Sequence, residues 1–347
     1  MSTGTREVAV VAVGACTPVG LTAAVTRAER AAGTPGFTRT EVRGEDGESV
    51  RAARLRLLEA WLSRTQRMAA LGATALEDCL AAVKGRWADS RLPLVLVLPE
   101  DGLGAPWEET ALREALEAEA RPARLEWEEG PWRAGRAGLF AALAHARRVL
   151  REGRAPWVLV GGVDSLGDGL SLRRLVETGR CLSGGRGEGL IPGEGAGFLL
   201  LARAEEARRA RLEVAGWVLA EAHGQEARHF RQEAPGRAEA LTEVFRQLRW
   251  HPGVEGRRVD VVLSCQTGEG YWAREFGQAY LRNAELFPEP LVVREVAEGL
   301  GDVGAAAGAL QVAQGLYLLR KQGGGRGLVY GDADGGVVGA CVLEVAS

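Results

Sequence analysis

The residues best suited to chemistry are a thiol, a few imidazoles and a glycine-rich turn. Cys265-Gln266-Thr267-Gly268 follows an apolar run, so its thiol stands just past a strand. A cysteine attacks only as the thiolate, which a nearby cation or helix N-terminus favours. The other cysteines, Cys16, Cys79, Cys181 and Cys341, are scattered, and a total of five fits neither a disulfide framework nor a zinc-ligand spacing. The four histidines, His145, His223, His229 and His251, fall in no motif and read as surface or helix residues. Gly299-Leu300-Gly301-Asp302-Val303-Gly304 fits the G-x-G-x-x-G dinucleotide fingerprint literally. Asp302 would aim a negative charge at the pyrophosphate, and only about 40 residues remain to complete an open sheet. No P-loop, zinc or metalloprotease motif is present, and no metal or cofactor is expected.

Positioning such groups requires a framework. Apolar runs flanked by glycine read as buried strands at Val8–Val13, Leu92–Leu98, Ala123–Glu128, Trp157–Gly161 and Gly197–Leu201. A second series follows at Val214–Ala220, Val259–Ser264, Leu291–Val296, Gly327–Tyr330 and Val337–Val345. Helical patterns near 20–32, 54–83, 107–119 and 136–151, then 236–249, 272–285 and 304–321, lie between them. Strands alternating with helices argue for parallel sheets covered on both faces. A tight connection from fourth to fifth strand would turn the last strand antiparallel. The same order occurs twice, which predicts an internal duplication with halves 1–205 and 206–347 forming one compact unit. The charged helix Ala204–Arg211 marks the break, and polar Thr38–Val50 reads as a loop.

The chain has 347 residues, a hydrophobic fraction of 46% and a net charge of −3. That balance gives no basic field for nucleic acid or an anionic membrane. No stretch reaches the roughly 18 apolar residues of a membrane span, and Met1–Glu7 lacks a signal-peptide pattern. A cytoplasmic protein of bacterial type is expected.

Four motifs in order resemble the β-ketoacyl synthases of the thiolase-fold superfamily. They are Val8–Val13 running into Gly14-Ala-Cys-Thr-Pro18-Val-Gly20; Gly161-Gly162-Val-Asp164-Ser165; Ile191-Pro192-Gly193-Glu194-Gly195-Ala196-Gly197; and Gly301-Asp302-Val-Gly304-Ala-Ala-Ala-Gly308. The resemblance implies an α/β thiolase-like fold, duplicated βαβαβαββ halves stacked as five layers αβαβα. It places the Pro-Gly-Glu-Gly segment as the hairpin between strands four and five.

The resemblance also locates an active site, and there the sequence departs from the family. Its nucleophilic cysteine sits at the start of the helix over 136–151. That position falls on Arg136, with Ala137 or Gly138 as alternatives. An arginine is neither deprotonated nor nucleophilic. The first family histidine is replaced by Cys265 and the second by Asp302. The lysine four residues before Gly301 is Ala297, and the apolar gating loop becomes Ala333-Asp334-Gly335-Gly336. Variants that keep the histidines can still decarboxylate; this chain keeps neither. Arg136, Cys265, Asp302 and Asp334 would line the old site. They either bind a ligand there or neutralise it through an Arg136–Asp302 ion pair.

A ketosynthase-like pseudoenzyme is therefore expected, related to fatty acid or polyketide biosynthesis, binding a partner protein such as an acyl carrier or an acyl-type ligand. One alternative is an acyltransferase or thioesterase using Cys265. Another is an adaptor or chaperone beside bacterial secretion effectors. The resemblance further implies a homodimer, or a heterodimer with a related chain, paired through the edge strand Ala123–Glu128. Arg124 would face the partner copy's Glu128, and Trp127 and Trp132 serve as interface anchors or as core.

Overall fold

The computed structural model describes residues 6–83, 91–182 and 187–346; most of Met1–Glu7, where a signal-peptide pattern was sought, lies outside them. The first half runs β1 (Val8–Cys16), α1 (Ala23–Ala31), β2 (Phe37–Arg43), β3 (Ser49–Ala53), α2 (Arg64–Ala81), β4 (Arg91–Val97), α3 (Glu109–Ala120), β5 (Arg124–Trp127), α4 (Gly138–Arg151), β6 (Trp157–Ser165), α5 (Gly169–Glu177) and β7 (Glu194–Arg203). Helix α6 (Ala204–Arg209) leads into the second half: β8 (Gly216–Gln225), α7 (Glu239–Arg249), β9 (Val261–Ser264), α8 (Gly270–Leu281), β10 (Val293–Glu295), α9 (Ala297–Leu300), α10 (Ala307–Lys321), β11 (Gly325–Asp332) and β12 (Val337–Val345).

All strands but β2 and β3 form one sheet of ten in the order β10-β9-β11-β12-β8-β1-β7-β6-β4-β5. Numbered within its half, each set of five reads third, second, fourth, fifth, first. The fifth strand is antiparallel to both neighbours in each half. The halves join where β1 meets β8 over Val8–Val10. This is the duplicated thiolase-like topology.

Layering follows from helix composition. Helices α4 and α10 touch strands of both halves and occupy the middle. Helix α10 is buried almost all round from Ala307 to Leu316, as a helix between two sheets must be. A Cβ on Gly308 would lie 2.5 Å from the Leu139 Cβ, so this glycine lets the two central helices close on each other. Helices α2 and α3 cover the outer face of the first half, and α7 and α8 that of the second. Helix α2 begins at Arg64, where a capping box of Ser63 and Gln66 satisfies its first amides. The helical pattern from residue 54 therefore starts ten residues too early, since the chain leaves β3 at Ala53 and enters the helix only at Arg64.

Two expectations need correction. Thr38–Val50 is not a loop: β2 and β3 form a hairpin, with the Thr40 hydroxyl donating to the Val50 carbonyl at 3.0 Å. Val42, Val50 and Ala52 bury against Leu172 and Leu175 of α5, so an alternating pattern among polar residues carried a small satellite core. The fourth-to-fifth connection of the first half is not tight either. Helix α5, capped by the Asp168 carboxylate, intervenes. Pro192-Gly193 leads into β7 instead of turning the chain, although Ser165 still faces Glu194. In the second half the connection is tight, through Ala333–Gly336. No helix among the described residues is long and apolar enough to cross a membrane.

Candidate functional site

Each central helix is preceded by a single 3-10 turn, Gly135–Ala137 before α4 and Gly304–Ala306 before α10. Both turns open on a left-handed glycine, with φ of 45° at Gly135 and 49° at Gly304. The halves press these turns together. A Cβ on Gly162 of β6 would stand 1.9 Å from the Ala305 carbonyl oxygen, so only glycine fits there.

Arg136 sits in the first of these turns and is 2% exposed. Its Nη1 donates to Asp302 Oδ2 at 2.9 Å and its Nη2 to Asp334 Oδ1 at 2.7 Å. Its Nε donates to the Asp332 carbonyl at 3.2 Å, and the guanidinium lies 4.7 Å from the Trp272 ring centroid. Burial would push the guanidinium pKa down; Asp302, Asp334, Glu100 and Glu269 outweigh it and raise it well above the ordinary value. The Arg136 charge is therefore permanent.

Asp302 is buried and accepts from the Gly304 amide at 2.9 Å. Burial raises its pKa, opposed by Arg136. Asp334 is held below the usual carboxylate range, because Arg136 and Arg180 overcome its burial. Arg180 donates to Asp334 Oδ2 at 2.6 Å and to both Glu269 oxygens at 2.6 and 2.8 Å. Glu100 fixes the β11–β12 turn, accepting from the amides of Asp334 at 2.9 Å and Gly335 at 3.0 Å. Asp332 is buried and takes both Gln266 Nε2 contacts, at 3.2 and 3.1 Å; burial drives its pKa up to about 7.

Cys265 follows β9, fully buried. A Cβ on Gly331 would lie 2.9 Å from both the Arg136 carbonyl oxygen and the Cys265 Cβ, so the two residues flank one glycine. Burial raises the thiol pKa strongly, with Asp332 adding to it. Arg136, Cys265, Asp302 and Asp334 thus converge from four separate segments. The network closes on itself and presents no free nucleophile. A cleft of about 870 Å³ outside it reaches only the outer members, Arg180 and Glu269, beside Phe230, Tyr271, Arg274 and Glu275.

Sequence reasoning missed Arg180, Glu269, Glu100, Asp332 and Trp272. Two had a signal: Asp332 lies two residues before Asp334 and Glu269 follows the Cys265–Gly268 motif. Arg180 and Glu100 lie in no family motif. Of the histidines, His145 instead holds Glu128 at 2.7 Å on the first half's flank.

At the sheet edge, β5 pairs among the described residues only with β4. The expected partner for Arg124 is already engaged within its own chain, since Glu128 accepts from Arg154 at 2.9 Å as well as contacting His145. Glu126 pairs with Arg91 at 2.8 Å. Trp132 is core, whereas Trp127 is half-buried under Arg113.

The family model for the N-terminal domain of β-ketoacyl synthase matches residues 136–207, a stretch that begins on Arg136. No curated protein matches the chain. Among solved structures, an ishigamide ketosynthase/chain length factor superposes with a TM-score of 0.77 at 16% identity, over 99% of this chain and 100% of that one. A type II polyketide synthase acyl-carrier protein in complex with its ketosynthase gives 0.76 at 15%, over 99% and 100%. The oxazolomycin ketosynthase domain of Streptomyces albus gives 0.76 at 14%, over 99% of this chain and 75% of that chain. The chain has the thiolase-like fold of ketosynthase domains.

Proposed function

We propose that this chain is a ketosynthase-like protein without condensing activity, which acts by binding a ketosynthase-type chain or an acyl carrier protein. One observation carries the reading: Arg136, which the family resemblance sets at the nucleophile position, is buried, charged and clamped by Asp302 and Asp334. The fold stays intact while the chemistry is plugged. A buried ion network of this kind contributes shape more than stability. Arg136, Cys265, Asp302 and Asp334 here form a wall and not a substrate site. The two halves, 1–205 and 206–347, act as one unit in the cytoplasm.

The similar structures support the choice of partner, since one is a ketosynthase with a chain length factor and another a ketosynthase with its carrier. The unpaired β5 edge supports a paired state, because an open strand offers unmatched backbone donors and acceptors. A homodimer or a heterodimer with a related chain follows from that edge. The reading by which Cys265 acts as a nucleophile loses support from its complete burial and raised pKa.

The test is purification of the tagged full chain from its native host, followed by sedimentation. A stoichiometric ketosynthase-type or carrier partner is expected, or a homodimer, and Leu125→Pro in the edge strand should release it. A monomer at micromolar concentration with neither partner retained would contradict the proposal.

A further inference from the structure

Buried arginines in this protein are matched to acids. Arg67 holds Glu194, Arg64 holds Asp164, and Arg136 holds Asp302 and Asp334. Arg27 and Arg30 on α1 break the pattern. Among the described residues neither forms an ion pair, and Arg27 Nε, Arg30 Nε and Arg30 Nη1 are buried without a hydrogen-bond partner. Only Arg30 Nη2 is engaged, by the Glu295 carbonyl at 3.3 Å and Gln311 Oε1 at 3.1 Å. A buried guanidinium left short of an acid is costly, and each such group calls for an explanation.

Arg30 lines a cleft of about 580 Å³ between the ends of α1 and α10 and strand β10. The same cleft carries Arg294 and Lys321, both exposed, against one carboxylate, Glu298. The volume lies in the range of small-molecule sites. Gln311, which accepts from Arg30, donates to the Ser264 carbonyl at 2.5 Å and so ties the cleft to the end of β9, one residue before Cys265. Burial pushes the Arg30 guanidinium pKa down to about 10, so the group remains a cation at neutral pH.

We propose that this cleft binds a small phosphate-bearing anion, with Arg30 at its floor and Arg294 and Lys321 at its rim. Three cations against one carboxylate suit a dianion, and a guanidinium with free donors suits phosphate oxygens. The bound anion supplies the ion-pair partner that Arg30 lacks among the described residues.

Inorganic phosphate and pyrophosphate, titrated into the full-length protein at fixed ionic strength, provide the test by thermal shift and calorimetry. Saturable binding is expected. Lys321→Ala and Arg294→Ala, both at exposed positions, should each weaken it by roughly fivefold or more, and Arg30→Met should abolish it. Without added anion, Arg30→Met should melt at or above the wild-type temperature, because it removes an uncompensated buried charge. Absence of a saturable effect in the wild type would overturn the proposal, as would binding that survives Arg30→Met and Lys321→Ala. A large loss of stability in anion-free Arg30→Met would show that Arg30 serves the fold through its two Nη2 contacts, and would overturn it too.

Discussion

Replacing Arg136 by methionine keeps most of the side-chain stem but removes the charge. Asp334 would still hold Arg180 at 2.6 Å. Asp302, fully buried, would keep only the Gly304 amide. One carboxylate is therefore left without a countercharge. Breaking a buried pair from one side costs about 3–5 kcal/mol, and this is the loss expected at pH 8. The loss should depend on pH. Burial already raises the Asp302 pKa in the folded protein, and removing Arg136 raises it further. A carboxyl with a raised folded pKa destabilises the fold only where it must ionise, so the penalty shrinks as pH falls through that value. Arg136→Met/Asp302→Asn should recover to within about 1–2 kcal/mol of wild type, a rescue of about 2–3 kcal/mol relative to Arg136→Met alone. Urea unfolding of wild type, both single variants and the double variant at pH 8 and pH 5 reads this directly. A single variant within 1 kcal/mol of wild type at pH 8, or a penalty untouched by Asp302→Asn, would refute the reasoning.

Asp332 gives a second pH signature. Its pKa of about 7 in the fold, above the ordinary carboxylate value, means that its contribution is full in acid and is lost as pH rises from about 4 towards 7. Asp332→Asn should stabilise the protein at pH 8 and flatten that slope in denaturant titrations. All five cysteines are buried, so iodoacetamide should label none in the native protein within minutes and all five after denaturation, as mass spectrometry would count. Gly162→Ala would drive a methyl to 1.9 Å from the Ala305 carbonyl oxygen. A loss of about 3 kcal/mol or failure to fold is expected, and unchanged urea unfolding would contradict the close packing of the two halves.

Much of the fold was legible because buried strands of a doubly covered sheet are apolar on both faces. Leu92–Leu98 and Val337–Val345 need no context to read. Short β10 was overextended at Leu291–Val296, since apolar character continues past the paired backbone. The hairpin at Phe37–Ala53 was hidden because its inward face is small and largely Thr and Ala, which polarity alone assigns to a loop. At the site, the motif positions led to Arg136, Cys265, Asp302 and Asp334, since each lies at a strand end or helix start that the topology brings together. Arg180 was not legible. It follows α5, an excursion between β6 and β7 that no periodic pattern announced, and its place against Asp334 depends on a tertiary contact spanning 154 residues.

The central claim is that Arg136 plugs the site and leaves no condensing chemistry. Decarboxylation and condensation of malonyl and acyl carrier thioesters by the purified protein test it most directly. Turnover no greater than a buffer control, unchanged by Cys265→Ser, is expected. Turnover above that control which Arg136→Ala or Cys265→Ser abolishes would contradict it.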